Sequence, residues 1–520
     1  MASITHHRNK KTGAIYRYAV ESYWDKEKKA PRNRQVYLGR VDPDTGDLIP
    51  VNKRKKANEP TPNSDEFSAI SRVAGPFFLL EQITQKFQLD KLIKTCFGDD
   101  ALTIKSLVYF LVQKGVALSR VESWSMAALH PLNGFIASQN VSELLRRITE
   151  DARQRFFALW IDQILEQDYL CYDITSISSY SRNNEYTHWG YNRDGDSLEQ
   201  INLAMLFGQN TRLPVYYRRL PGNISDVATL RTTIRSLNFL EASPMHLVLD
   251  RGFYSKANVD ELYKRKHKFT VSVPTGRKWV ERLLDEHYES IASPRNYLSI
   301  NKTESLYAST TLYKWGENNH RLYVHVYYNA EQAANNYDAF TRKLISLKAE
   351  LESGQLMRDH EKFYERYFMI KETPKRGRKI EFNDGEIQKY RKRYSGFFCI
   401  ISNQLKEANE ALCVYRGKDV VENCFDDLKN NLDMKRLRVH SSRAMDSRLF
   451  LQFLALIYVS EIRQKTKNNK KLKCLSVRDV MEQMETLTQI KCSGRYGEVL
   501  TETSPIQREI LSAFEVNLPT

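Results

Sequence analysis

The 520-residue chain lacks several features by which common functions are recognised. Its seven cysteines, Cys96, Cys171, Cys399, Cys413, Cys424, Cys474 and Cys492, form no CxxC pair. Zinc ribbons and dithiol redox motifs are therefore without support, and the odd, scattered set fits reduced thiols in a cytosol. The 11 histidines form no HExxH or HxxxH pattern. The most apolar run, Leu449–Val459, is too short to cross a bilayer, and the polar start MASITHHRNKKTG does not read as a signal peptide. No repeat period is visible, which argues against a solenoid or propeller.

Positive charge is what the chain has in excess. Lys+Arg number 79 and Asp+Glu 63, a net +16. An excess of this size on a folded protein points to a polyanion partner, although a generally basic protein would share it. The basic residues recur in Lys53–Lys56, Lys264–Lys268, Arg376–Lys379, Arg391–Arg393 and Lys465–Lys473. Each run alone reads as a solvated face. Spread over several predicted elements, they fit a long nucleic-acid track.

The length allows two to four domains. Residues 1–60 read as a small β-rich region, with alternation in AIYRYAVESYW and turns in PDTGDLIPV. A basic and Pro/Asn/Ser-rich linker follows. Residues 67–166 carry apolar positions at helical spacing, as in GPFFLLEQITQKFQLDKLIKTCF and VSELLRRITEDARQRFFALWIDQIL, the latter capped by Ser138 or Asn140. At Asp168 the period changes to that of strands: YLCYDITSI, LEQINLAMLFGQ and RLPVYYRRL. A helix (DVATLRTTIRSLNFL), a strand (MHLVLD), a turn and helix, and a strand (KFTVSV) complete a mixed α/β layer over 167–273. Residues 274–395 interrupt it with β-like pieces and a long polar helix around Glu331–Leu356. FFCIISN resumes the layer, which runs over 396–465, and 466–520 form a helical tail.

The segment YRGKDVVENCFDDLK, Tyr415 to Lys429, carries the strongest pattern. Read as one helix, Tyr415, Lys418, Glu422 and Lys429 fall within roughly 60° of arc. Val421, Phe425, Leu428 and Leu432 form an apolar stripe beside them. A carboxylate suits a hard cation such as Mg²⁺, and the lysines suit phosphate oxygens as point charges. A surface helix laced with i,i+4 ion pairs would show the same spacing. Two further acids stand where acids are disfavoured: Asp173 inside YLCYDITSI and Asp250 at the end of HLVLD. Each alone reads equally as a strand-end acid capping a turn. With Glu422 they suffice for two divalent ions, which clamp the attacking and leaving oxygens of a phosphoryl transfer.

The chain resembles the DDE transposases of bacterial insertion sequences, in the group whose signature is Tyr-x2-Arg-x3-Glu-x6-Lys. Here that signature reads Tyr415-x2-Lys418-x3-Glu422-x6-Lys429. YDITSI resembles the first-aspartate strand, LVLDRGFYS the second-aspartate strand, and GYNRDGDSLEQINLAML with LPVYYRRLPGNISDVATL the strands and turn that follow the first. The resemblance implies an α/β fold: an RNase H-like mixed-sheet catalytic core over 167–273 and 396–465, with a β-rich insertion domain at 274–395. A small β region (1–60) and a helical DNA-binding domain (67–166) would precede it. It implies that Asp173, Asp250 and Glu422 are the catalytic, metal-holding triad for two Mg²⁺ ions, with Mn²⁺ as a substitute. Tyr415, Lys418 and Lys429 would contact terminal phosphates of the transposon end. Lys418 departs from the family's Arg, keeping the charge and losing the bidentate fork.

Arg251 and Tyr254, after Asp250, would touch DNA or order the acid. In related enzymes a Trp of the insertion supports a flipped base during hairpin formation; Trp279 and Trp315 are candidates here, and partly buried core aromatics otherwise. His440 and Asn202 are polar residues without a derivable role. The implied activity is Mg-dependent cut-and-paste transposition on double-stranded DNA, both inverted-repeat ends and target. A homodimer would bridge the ends, in the bacterial cytoplasm and without a membrane. A metal-dependent nuclease on the same core would cut and never join. An inactive transposase-derived DNA-binding protein would have no use for the three acids.

Overall fold

The computed structural model describes residues 3–10, 12–25, 30–42, 46–50, 69–164, 168–181, 184–239, 244–301, 304–373, 377–437, 439, 441–492 and 497–519. The Lys53–Lys56 run, the expected linker, Arg376 and His440 lie outside them. The chain divides into two compact units, Met1–Ala69 with Cys492–Gly497, and Ile70–Lys491 with Glu498–Thr520.

In the first unit, strands β1 (Ser3–Arg8), β2 (Ile15–Asp25), β3 (Ala30–Val41) and β4 (Leu48–Pro50) form an antiparallel meander in sequence order. Cross-strand aromatic contact, Tyr18 on Tyr37 with centroids 5.3 Å apart, supports the pairing.

The strand β5 (Ala69–Val73) lies in the second unit from Ile70 onward, and six helices follow it: α1 (Gly75–Lys86), α2 (Leu89–Phe97), α3 (Ala101–Lys114), α4 (Val121–Ala127), α5 (Ser138–Arg147) and α6 (Glu150–Ile164). Two long helical patterns are each broken in two. Gln88 takes a left-handed conformation (φ 47°) between α1 and α2. Ile148 is extended between α5 and α6, where the Thr149 hydroxyl accepts from Ala152 N at 3.2 Å. The cap expected at Ser138 or Asn140 is absent: the helix starts after Ala137 without a side-chain bond.

The strands that follow are β6 (Tyr169–Ser179), β7 (Gln200–Gly208), β8 (Pro214–Pro221), β9 (His246–Leu249), β10 (Lys268–Val273), β11 (Tyr297–Ser299), β12 (Ser305–Trp315) and β13 (His320–Tyr328). Helices α7 (Asp226–Phe239), α8 (Lys256–Lys264) and α9 (Lys278–His287) lie between them in the chain. After α10 (Ala330–Ser353), α11 (Glu361–Tyr367), the hairpin β14 (Phe368–Thr373) and β15 (Gly377–Phe382), and α12 (Asp384–Arg393), the chain returns as β16 (Phe397–Ser402). It ends with α13 (Ala408–Arg416), α14 (Asp419–Asp426), β17 (Arg436–Leu437), α15 (Ser442–Asn468), α16 (Val477–Glu485), β18 (Thr488–Cys492), β19 (Glu498–Leu500) and α17 (Pro505–Ala513).

One mixed sheet organises the unit, in the order β11-β12-β13-β16-β10-β9-β6-β7-β8, with β17 beside β6. β6, β9 and β10 run parallel, and β7 and β8 pair antiparallel beyond β6. β7 is buried along its whole length, as expected of a strand covered on both faces. Strands β11–β13, inside the stretch expected as an insertion, extend this sheet through β16. Residues of α10–α12 and β14 gather instead around a separate small core of Phe340, Leu344, Leu347, Leu351, Tyr364, Tyr367 and Phe368.

Helices α1, α3 and α6 share the main apolar core with the sheet and with α15. The Thr84 hydroxyl bonds both the Tyr109 hydroxyl at 2.7 Å and the Tyr458 hydroxyl at 2.8 Å, tying α1, α3 and α15 together. The apolar run Leu449–Val459 lies in α15 and is buried on every side, the position expected of a helix apolar all round. Among the described residues no single helix is long and apolar enough to cross a membrane. At the sheet's outer edge, β8 begins and ends in proline, and the Trp160 indole of α6 donates to the Pro214 carbonyl at 2.9 Å.

Candidate active site

The parallel register of β6 on β9 pairs Tyr172 with Leu249. The next residue on each strand is an aspartate, so Asp173 and Asp250 stand on neighbouring strands about 5 Å apart. Both stand where the parallel pairing of β6 and β9 ends. Asp250 is just past the C-terminal end of β9, the end at which open α/β sheets place their sites, and Asp173 is midway along β6. Burial pushes the Asp173 carboxyl up to about 6, and the charge of Asp250 adds to the rise. The backbone N–H of Ile174, 2.8 Å away, and the charges of Arg193 and Lys418 restrain it. Asp250 is also opposed by burial, but the Tyr415 hydroxyl donates to its Oδ1 at 2.6 Å. With the Arg251 N–H and the charges of Lys418 and Arg251, that bond holds the carboxyl below its ordinary value.

The helix carrying the third acid is not one piece. The reading of Tyr415–Lys429 as a continuous helix is corrected: α13 ends at Arg416, Gly417 and Lys418 form a turn, α14 spans Asp419–Asp426, and Asp427–Asn431 form a π-helical turn. The break keeps Tyr415, Lys418 and Glu422 on one side. Lys418 Nζ lies 3.8 Å from Asp250 Oδ1 and 3.4 Å from Glu422 Oε1. Burial works against its charge, yet the fields of Asp250, Glu422 and Asp173 outweigh burial and raise its pKa. This ammonium is thus a positive charge among the three carboxylates, with Arg193 acting on Asp173 and Arg251 on Asp250 besides. Lys429 is re-aimed by the π turn: it is buried, and its ammonium meets both Asp194 oxygens at 2.8 and 2.7 Å.

The remaining predicted residues separate by exposure. Arg251 is exposed beside Asp250. Tyr254 is 6 % exposed and its hydroxyl accepts from the Trp279 indole at 3.0 Å, so support of the Asp250 turn suits it better than contact with a ligand. Trp315 is buried and donates to Asp260 Oδ1 at 2.7 Å; Trp279, half-buried, packs 5.9 Å from it. Asn202 donates to the Gly222 carbonyl at 3.3 Å, as part of a buried clasp with Gln200.

Sequence reasoning missed Arg193, which acts on Asp173 and pairs with Asp226 at 2.9 Å. It also missed Asp194 as the partner of Lys429. Both lie in the quoted block GYNRDGDS, where a basic residue beside an acid in a Gly-rich turn was the available signal.

Among the described residues no three His, Cys, Asp or Glu side chains converge as a closed ligand set. The donor chemistry nevertheless fits a hard divalent cation. All three acids offer oxygen, and the Asp173 carboxyl, whose ionisation burial opposes and the charge of Asp250 opposes further, is a group whose charged form a cation would stabilise.

The model of the transposase DDE domain matches residues 166–458. No match is found among curated proteins. Among solved structures, the piggyBac transposase synaptic complex with hairpin DNA is similar at 10% identity and a TM-score of 0.38, over 79% of this chain and 76% of that one.

Proposed function

The chain belongs to the transposase DDE domain family, and from that premise we propose that it is an insertion-sequence transposase of the Tyr-x2-Arg-x3-Glu-x6-Lys group. It cleaves DNA at terminal inverted repeats and joins the freed 3′ end to target DNA. The observation that carries this reading is the Asp173–Asp250 pair, set side by side by strand register with Tyr415 and Lys418 upon it and Glu422 beside Lys418. The strand order β8-β7-β6-β9-β10, three antiparallel strands and then two parallel ones, supports an RNase H-like core.

In this reading Asp173, Asp250 and Glu422 hold Mg²⁺, or Mn²⁺ in its place. Bound ions supply Lewis acidity and a nucleophile near neutral pH. The chain's own residues do the positioning. Tyr415 fixes the Asp250 carboxylate by one charge-assisted bond. Lys418 brings a partly buried ammonium to a phosphate oxygen, where charge is worth more than in open water. Arg251, exposed next to Asp250, meets the strand beyond it. Lys429 holds the β6–β7 loop through Asp194, so its contribution to DNA runs through that loop. The net charge of +16 supports a duplex-DNA partner, and two copies bridging two ends form the working complex. Hairpin formation enters this reading through the signature group.

The test is strand joining on labelled DNA carrying the element's own ends, with Mg²⁺, comparing wild type with Glu422→Gln. Cleaved and joined products in the wild type, both lost in the variant, are expected. Cleavage without joining would convert the reading to a nuclease. Undiminished cleavage by the variant would remove Glu422 from the metal site.

A further inference from the structure

The loop between β6 and β7 carries two large rings that the fold does not use. Trp189 is 65% exposed and Tyr191 84%. Among the described residues neither ring packs on another ring or a cation, and neither the indole N–H nor the phenol hydroxyl has a hydrogen-bond partner.

The backbone beneath them is held firmly. His188 and Gln200 exchange both backbone bonds, each at 3.0 Å. The Tyr191 carbonyl accepts from Gln200 Nε2 at 2.9 Å and from the Ser176 hydroxyl at 3.3 Å. Gln200 and Asn202, 0% and 3% exposed, both donate to the Gly222 carbonyl, at 3.1 and 3.3 Å. The backbones meet so closely that a Cβ on Gly190 would lie 2.1 Å from the Gly222 oxygen, and one on Gly222 2.0 Å from the Gln200 oxygen. Buried side-chain amides that donate in this way give a defined conformation rather than a loose tip, although Gln200 Oε1 is left without a partner. Two bare aromatics on such a frame are presented to something.

Their place says what. Ser176, which the Tyr191 carbonyl meets, is three residues along β6 from Asp173. At the rise of a strand that is about 10 Å along the backbone, and the odd offset turns the two side chains to opposite faces of β6. The loop returns to the site through Arg193, whose partner Asp226 at 2.9 Å lies against Gly252, two residues after Asp250. Arg193, two residues beyond Tyr191, reaches Asp173 with its field and adds positive charge to the approach. Bases in a duplex already stack on one another. An exposed ring therefore gains a base only from an unpaired strand, and every base has a π-face to offer.

We propose that Trp189 and Tyr191 form a stacking platform for unpaired nucleobases of the DNA strand that enters the Asp173–Asp250 site. This rests on the DNA-processing reading above.

The test uses the full chain without divalent cation, a blunt duplex, and the same duplex with a short unpaired 3′ overhang containing 2-aminopurine. The wild type is expected to prefer the overhang by about tenfold or more, the factor one stacked base is worth, and to quench the 2-aminopurine. Trp189→Ala with Tyr191→Ala abolishes preference and quenching while affinity for the blunt duplex and Tm stay unchanged. Trp189→Phe with Tyr191→Phe keeps most of both. If the alanine variant retains preference and quenching, or if the wild type binds both DNAs equally, the platform is disproved and the transposase reading stands. If the wild type binds neither DNA, both fall together.

Discussion

The acids carried by the sheet and the acid carried by the helix are held in different ways. Asp173 and Asp250 each directly follow a paired residue, Tyr172 of β6 and Leu249 of β9, so their separation is a property of backbone hydrogen bonds. Glu422 sits on an eight-residue helix between the turn at Gly417–Lys418 and a π turn, with 60% of its side chain exposed. Its neighbour in the site is a lysine one helical turn away. The sheet supplies a pair in which burial opposes the charge of Asp173 while partners hold that of Asp250, and the helix supplies a third carboxylate on a mount that can be adjusted. Rigidity where spacing matters and freedom where a ligand must enter is a sensible division for a site that handles a polymer.

Mutations can break this contrast. Asp250→Asn removes a group whose place no other side chain can take, and Mg-dependent cleavage of end DNA should fall by about 10³-fold or more, read by product formation in single turnover. Lys418→Ala leaves the carboxylates without their resident ammonium and the phosphate without its partner. Its cleavage rate should fall between about tenfold and 100-fold, with partial recovery in Lys418→Arg. Tyr415→Phe deletes one bond to a charged acceptor, worth about 1.5–3 kcal/mol at most. About a tenfold loss in rate is expected, with the Mg²⁺ concentration for half-maximal activity raised.

The smallest effect is on stability and runs the other way. The Asp173 carboxyl titrates at about 6 in the fold, above its ordinary value of about 3.9. Its ionisation therefore opposes folding. That penalty is absent below about pH 4, grows as the pH rises toward 6, and is complete above it. Without divalent cation, Asp173→Asn should melt a few degrees above the wild type at pH 7 and level with it at pH 4, as scanning calorimetry would read.

Much of this division was legible in the sequence. The strands holding Asp173 and Asp250 announce themselves by alternation and by apolar neighbours, because a strand at the centre of a sheet tolerates little else. The helix was legible only as periodicity. Nothing in YRGKDVVENCFDDLK marks where α13 stops, since Gly417 has ordinary helical angles and its turn is imposed by packing. The π turn at Asp427–Asn431 adds a rotation that periodicity cannot carry, and so Lys429 was grouped with residues it does not join. Trp189 and Tyr191 were hidden for the opposite reason: aromatic residues in a strand-rich block read as core, and only three-dimensional placement reveals that they are bare.

The two ends of the central sheet decide how copies of this protein can associate. β8 has no N–H at Pro214 or Pro221, α6 covers it, and Trp160 occupies the Pro214 carbonyl. At the far end β11 is three residues long. The β8 edge is thereby closed to strand addition, whereas β11 pairs only Ser305–Tyr307 of β12 and leaves Ala308–Trp315 without a strand on that side among the described residues. At the β8 end, continuing the sheet from one molecule into the next is closed off. A pairing of copies at that end would run through helices and loops, while the long outer edge of β12 is where the sheet itself could be extended.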